Sequence, residues 1–415
     1  MTGGLNKTAS VFAIAAAAGV LSTSAFAADL GGNCCADLEE RVAELEATTA
    51  RKGNRVVSLT ISGHVNESML YWDDGIGSGV RVVTNGFSMT RFRFRGSAKI
   101  NSEWSAGFYL EFGLGRTGMS YDVDHADGSR GGGYGPSPSM RHQALYIDSK
   151  RLGRIWMGHT TDVIDGIIDI CLGCPITSSP ESGLGWGDFF TSVGAVRSST
   201  TWGALRVGNE GHYGTRRNLI KYISPAFAGF TVSASWGDDD QPVAVSEHGY
   251  IWDVALRYAN EFNGVRVAAG IGYNEYTDRD QSSYAGSASL QHMATGLYVQ
   301  AAFAHKENTA AVAGVNRDDD MWSVQIGLVR KLSPLGATTF WGQYQQYDNG
   351  GSVANTVLGT DADVISFGIN QKIDAAAMEL YLTYWNVSAD VTAVGGATAS
   401  VNDLNIIMAG TRIRF

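Results

Sequence analysis

The sequence predicts an all-β chain: an antiparallel up-and-down transmembrane β-barrel of about sixteen strands, with a short helical or coiled-coil segment near its N-terminus. Three observations predict it. Apolar and polar residues alternate at the strand period of two in segment after segment, each near the ~10 residues that a tilted strand needs to cross a bilayer. The connections between these segments alternate between tight turns and long Gly- or Asp-rich loops. The composition of the 415 residues fits neither common alternative: with 17% charged residues and a mean hydropathy near zero, the chain is poor in charge for a soluble protein and too polar for a helical membrane protein.

The first 27 residues read as an export signal: Lys7, an apolar run from Val11 to Leu21, and the small-x-small site Ala25-Phe26-Ala27. That run is too short to span a bilayer as a helix. Residues 28–55 form a leader whose only helical pattern is Cys34 to Glu46, with Leu38, Val42 and Leu45 on one seam. At under two heptads it is unstable alone, so it either docks on the main domain or packs against copies from neighbouring subunits. Cysteine usage is sparse, Cys34-Cys35 and Cys171-Leu-Gly-Cys174. In an oxidising compartment Cys171 and Cys174 are candidates to close a small loop, and a redox or zinc role for the lone C-x-x-C is the weaker reading.

The barrel proper occupies 56–415. Leu59, Ile61, Gly63 and Val65 open the alternation, and further segments lead to a final one over 406–415. The tight turns fall at 101–103, 149–153, 224–228, 260–264, 294–296, 332–336 and 373–375. Long loops are expected at 73–85, 116–139, 162–215, 237–249, 274–281, 306–320, 348–361 and 388–401. Aromatics at strand ends, among them Tyr71-Trp72, Trp236 and Tyr384/Trp385, suit two interfacial girdles.

One stretch shows which face is which. In Thr90-Arg91-Phe92-Arg93-Phe94-Arg95-Gly96 cation and aromatic alternate, and Lys99 continues the cationic face. A lipid-facing Arg at mid-bilayer costs about 2–4 kcal/mol, so Arg91, Arg93, Arg95 and Lys99 are assigned to the lumen and Phe92 and Phe94 to hydrocarbon. Glu111 on the following segment is a candidate pore acid, and Arg217 and Lys221 are candidate further cations. Within the longest gap, Asp162, Asp165 and Asp169 stand at spacings of three and four. On a helical turn they share one face, an acidic edge that would set up a transverse field against Arg91, Arg93 and Arg95, with Ile164, Ile167 and Ile168 left to pack elsewhere.

The Ala-x-Ala signal, the Cys-Cys-plus-heptad leader, the run Ser224-Pro-Ala-Phe-Ala-Gly-Phe-Thr-Val-Ser-Ala-Ser-Trp-Gly-Asp-Asp-Asp240 and the ending Gly410-Thr-Arg-Ile-Arg-Phe415 together resemble the alphaproteobacterial (rhizobial-type) general porins. The resemblance covers essentially the whole mature chain. It implies a sixteen-stranded homotrimer in the cell outer membrane, a constriction loop at about 162–215, and Phe415 as part of the signal read by the barrel assembly machinery. Outer-membrane lipid, lipopolysaccharide and small hydrophilic solutes are the partners it implies, with no cofactor.

Other classes find little support. A net charge of −10 argues against nucleic acid. The eight His show no H-E-x-x-H or similar ligand spacing, and there is no G-x-S-x-G elbow or P-loop. The Asp runs at 238–240 and 318–320 read as solvated loops, or as sites for cations that bridge lipopolysaccharide. The expected function is passive diffusion through a water-filled channel. A solute-specific channel, for sugars for example, would need an aromatic track, for which Tyr109, Trp156 and Trp186 are the candidates. An outer-membrane hydrolase with a Ser-His pair assembled across strands is the remaining alternative.

Overall fold

The computed structural model describes residues 56–114, 138–180, 187, 189–205, 207, 216–238, 249–277, 281–308, 318–350, 357–393 and 395–415. The export signal, the heptad leader with Cys34 and Cys35, and Trp186 lie outside the described residues.

The strands are β1 (Ser58–Asp73), β2 (Ser78–Thr84), β3 (Arg91–Lys99), β4 (Trp104–Gly113), β5 (Ser139–Ser149), β6 (Gly153–Thr161), β7 (Phe190–Val193), β8 (Val196–Thr201), β9 (Arg216–Ile223) and β10 (Phe230–Asp238). They continue as β11 (Tyr250–Phe262), β12 (Val265–Tyr276), β13 (Gln281–His292), β14 (Leu297–Asn308), β15 (Asp319–Ser333), β16 (Gly336–Gly350), β17 (Val357–Ile373), β18 (Met378–Ala393) and β19 (Thr398–Arg414). All but β7 and β8 belong to one 17-stranded antiparallel sheet. β2 and β3 both pair with β1, Asp73 to Glu67 facing Ser78 to Thr84 and His64 to Ser58 facing Arg91 to Ser97. They are two halves of one wall strand, so the barrel has 16 strands.

The barrel closes where β1 pairs with β19, from His64 opposite Arg414 to Asp73 opposite Asn405. At the seam Gly63 N–H donates to Phe415 O at 2.9 Å and Phe415 N–H donates to Gly63 O at 3.1 Å. A side chain at Gly63 would collide with the Phe415 ring, its Cβ 2.6 Å from Cζ. Closure satisfies both edges of the sheet, the condition for non-helical backbone in lipid.

Sidedness follows the period of two. Ile61, Val65, Met69, Leu145, Ile155, Met157, Val254, Leu256, Val324, Ile326, Ile365, Phe367, Ile407 and Ile413 point outward and are exposed, while their sequence neighbours on the other face are mostly buried. So long a run of exposed apolar side chains is a lipid-facing band. Phe92, Phe94 and Phe112 join it, Phe92 stacked on Phe112 at 5.1 Å. The predicted tight turns sit between consecutive strands on one rim. There the Glu103 carboxylate accepts from Ser149 Oγ at 2.7 Å and from Arg151 N–H at 3.0 Å, tying two adjacent turns together. These bonds, the Ser149 hydroxyl first, pull its pKa below the usual carboxylate range.

Three expected loops are corrected. Most of 73–85 is strand β2, most of 348–361 belongs to β16 and β17, and most of 388–401 belongs to β18 and β19. In each place the wall strands run longer than the ~10 residues a membrane crossing needs, so polar, Gly-containing sequence that reads as loop is held by ladder bonds.

The interior departs further from a uniformly charged lumen. Leu70, Trp72, Val83, Trp385, Leu404, Ile406 and Met408 all face inward and are buried. They are covered by two inward segments. Residues 85–90, between β2 and β3, tuck Phe87 against Trp385, stacked at 5.4 Å. The long segment after β6 brings Ile176, Phe189, Trp202, Leu205 and Val207 into the same cluster, Phe189 5.8 Å from Trp72.

Candidate pore lining

The segment after β6 is pinned along the inner wall by one inward side chain after another. Asp253 on β11 accepts from the backbone N–H of Val163 and of Ile164, the latter at 3.0 Å. Arg257, four residues on and so on the same face, donates to Val163 O at 2.7 Å and Asp165 O at 3.0 Å. On β14, Gln300 donates to Ile168 O at 2.7 Å. Ser289 Oγ on β13 accepts from Leu172 N–H, Gln325 on β15 donates to Ser178 Oγ, and Gln345 and Tyr347 on β16 both donate to Pro180 O. Amide and hydroxyl side chains on this wall thus serve the stretch 163–180, which forms no ladder of its own.

The isoleucines pack where the wall has no side chain. A Cβ at Gly270 would lie 2.5 Å from Ile170 Cδ1, and one at Gly272 2.8 Å from Ile164 Cγ1. These two β12 glycines are recesses for the segment, and filling either displaces it. Cys171 and Cys174 are joined by a disulfide beside Tyr298 and Trp341.

The expected helical turn over Asp162, Asp165 and Asp169 is not formed. The segment makes isolated three-residue turns, Ile164 O accepting from Ile167 N–H at 3.0 Å and Ile167 O from Ile170 N–H at 3.4 Å. Arg257 takes the Val163 and Asp165 carbonyls that a helix would have used, while Asp253 holds the N–H groups of Val163 and Ile164. The carboxylates are drawn into this scaffold: Asp162 is buried and accepts from Asp165 N–H, and Asp169 accepts from Ser179 Oγ at 2.6 Å. Asp162 and Asp165 act electrostatically on Lys221 and Arg257. Glu111, read as a pore acid, is also consumed. It is 3% exposed and forms ion pairs with Arg141 at 2.8 Å, Arg93 at 3.2 Å and Arg91 at 3.4 Å, while Tyr109 OH donates to it at 2.6 Å.

The opposite wall, β3 to β6 and β9, carries the predicted cations. Arg91 and Arg217 are buried, Arg217 against Tyr276. Arg93 and Lys221 are partly buried, and Lys221 Nζ donates to Thr161 O at 2.7 Å. Arg95 and Lys99 are exposed. The sequence reading missed Arg141, Arg154, Asp253 and Arg257. Asp253 and Arg257 were legible as the alternate face of the Trp252, Val254, Leu256 strand. Arg141 was not, because a bulge between the Glu111 and Phe112 pairings turns it inward.

A family model described as Gram-negative porin matches residues 11–401. Among solved structures, the anion-selective porin from Comamonas acidovorans superposes with a TM-score of 0.54 at 15% identity, over 86% of this chain and 100% of that one. OmpF from Salmonella typhi, solved with daunomycin, gives 0.54 at 14% identity over 88% and 99%, and a Rh. blastica porin variant gives 0.50 at 15% identity over 86% and 100%. No curated protein sequence matched the chain. Closed barrel, lipid-facing band, inward-folded segment and family match agree: the chain belongs to the Gram-negative porin family and is an outer-membrane channel for passive diffusion of small hydrophilic solutes and ions, not an enzyme.

Proposed function

We propose that this chain is a general diffusion porin of the alphaproteobacterial type that prefers anions. Arg93, Arg95, Lys99 and Lys221 line its water path with Arg91 and Arg217 buried behind them, and the segment 162–215 constricts it. The observation that carries this reading is an imbalance: Arg95 and Lys99 are exposed on the wall, whereas Glu111 and Asp162 are buried in bonds of their own. Asp165 and Asp169 leave a thinner negative edge than three free carboxylates would. A solute meeting this path meets more positive than negative potential. The same preference is printed in the name of the Comamonas acidovorans porin, which shares the fold at 15% identity.

The finer assignments rest on sequence. Residues 1–27 act as the export signal, and Cys34 to Glu46 contributes to a homotrimer or docks under the barrel. Phe415, on the outward face of the closing strand, serves the assembly machinery, and outer-membrane lipid and lipopolysaccharide surround the band. Conductance in planar bilayers with added sugars tests the general-diffusion reading. Current that rises in proportion to salt and ignores millimolar sugar supports it; block at micromolar sugar would replace it with a solute-specific channel.

A further inference from the structure

Resting on the cationic-wall reading, we propose that the short-turn half of this wall holds a binding step for planar aromatic carboxylates, with Arg95 taking the carboxylate and Tyr109 and Trp156 taking the ring. The strand register sets the inward side chains in rows. Arg95 stands opposite Tyr109, Tyr109 opposite Ala144, and Ala144 opposite Gly158. The next row toward the turns runs Ser97, Gly107, Tyr146, Trp156, Lys221. The first row therefore passes through two residues with almost no side chain, Ala144 and Gly158, before Leu219, a recess in the wall. The Tyr109 and Trp156 rings meet across it, edge to face at 6.5 Å. Tyr146 supports Trp156 from beside, at 4.7 Å.

Cations frame the aromatics. The Arg95 guanidinium lies over the Tyr109 ring at 5.4 Å, and Lys221 Nζ and the Arg154 guanidinium lie 5.6 and 5.7 Å from the Trp156 ring. Arg154 is committed to Asp148 at 2.9 Å. Arg95 is exposed and has no ion pair or hydrogen bond among the described residues, so its planar fork is available to a bidentate carboxylate while its face stays on Tyr109. Hydrated chloride gains nothing from rings. A carboxylate that carries its own flat π-system gains ring contact as well as charge.

The test uses the full-length channel in planar bilayers. In each membrane the potassium chloride reversal potential is recorded first, and then benzoate or cyclohexanecarboxylate, equal in charge and similar in size, is titrated in. The expected result is half-block by benzoate at a concentration roughly five- to tenfold lower than by cyclohexanecarboxylate. Trp156→Leu and, independently, Tyr109→Leu should bring that ratio close to one, and Arg95→Gln should weaken both blockers together. An anion-preferring wild-type channel that is blocked equally by the two acids overturns the binding step alone, as does a ratio that both ring variants leave intact. A cation-preferring wild-type channel removes the cationic-wall reading beneath it.

Discussion

The two inner walls of this barrel are made of different chemistry and do different work. From β10 to β19 the inward residues are mostly amides, hydroxyls, small residues, aliphatics and rings such as Tyr298 and Trp385, nearly all of them buried, and the charges among them are held in bonds, Asp253 and Arg257 to the inward segment and Glu379 to Arg412. From β3 to β6 and at β9 they include guanidiniums, the Lys99 and Lys221 ammoniums and aromatic rings, and several remain uncovered. The first wall is a mould that shapes the constricting segment by giving its backbone partners and its isoleucines recesses. The second is the surface that a solute meets. Size limits and charge preference are thus set on opposite sides of one sheet, and each can be altered with the other left in place.

The largest effect is expected where the second wall depends on one acid. Glu111→Gln leaves the Arg91, Arg93 and Arg141 guanidiniums together without their shared carboxylate, a loss of about 3–5 kcal/mol for breaking a buried ion pair. Thermal unfolding in detergent should show a clear fall in the midpoint; an unchanged midpoint would mean that the cations do not need their anchor. On the mould side, Asp253→Ala orphans the Val163 and Ile164 N–H groups at about 1–3 kcal/mol each. The constricting segment should loosen, read as larger and noisier single-channel steps and as entry of larger neutral sugars in liposome swelling, with little change in ion preference. A shift in selectivity equal to the change in size would erase the division between the walls.

A unit charge at 4 Å in water is worth ~1 kcal/mol, so replacing Arg93 and Arg95 by Ala should lower the anion-to-cation permeability ratio roughly fivefold. Reversal potentials in a salt gradient measure it. The smallest effect lies outside both walls. Asp320, Asp348, Asp361 and Asp390 stand directly opposite one another across β15, β16, β17 and β18, a ladder of like charges. Asp361→Asn should stabilise the barrel by about 0.2–1 kcal/mol at neutral pH, seen as a slightly higher midpoint, with conductance unchanged.

How legible all this was in the sequence divides along the same line. Sidedness was legible, because a period of two is a local property: Arg93 inward and Phe94 outward follow from adjacency in one strand. The tight turns were legible too, since their residues carry the bend themselves. The covered wall was not. That Gly270 and Gly272 are sockets for Ile170 and Ile164 depends on residues about a hundred positions apart. That Asp253 and Arg257 would unmake the expected helical turn at 162–169 required knowing what lies across the lumen. Sequence alone therefore reads Asp162, Asp165 and Asp169 as a field facing Arg91, Arg93 and Arg95 and Glu111 as a pore acid, whereas Glu111 and Asp162 are spent on structure. The loops at 73–85, 348–361 and 388–401 failed for a simpler reason: polar residues pair as well as apolar ones once a strand has left the membrane.

The central claim is that the uncovered charge of the lumen is positive, and the zero-current potential of the wild-type channel in a potassium chloride gradient tests it most directly. The account predicts a potential whose sign reports chloride as the more permeant ion, weakening as salt rises and screens the wall. A potential of the opposite sign, with potassium favoured at low salt, would contradict it.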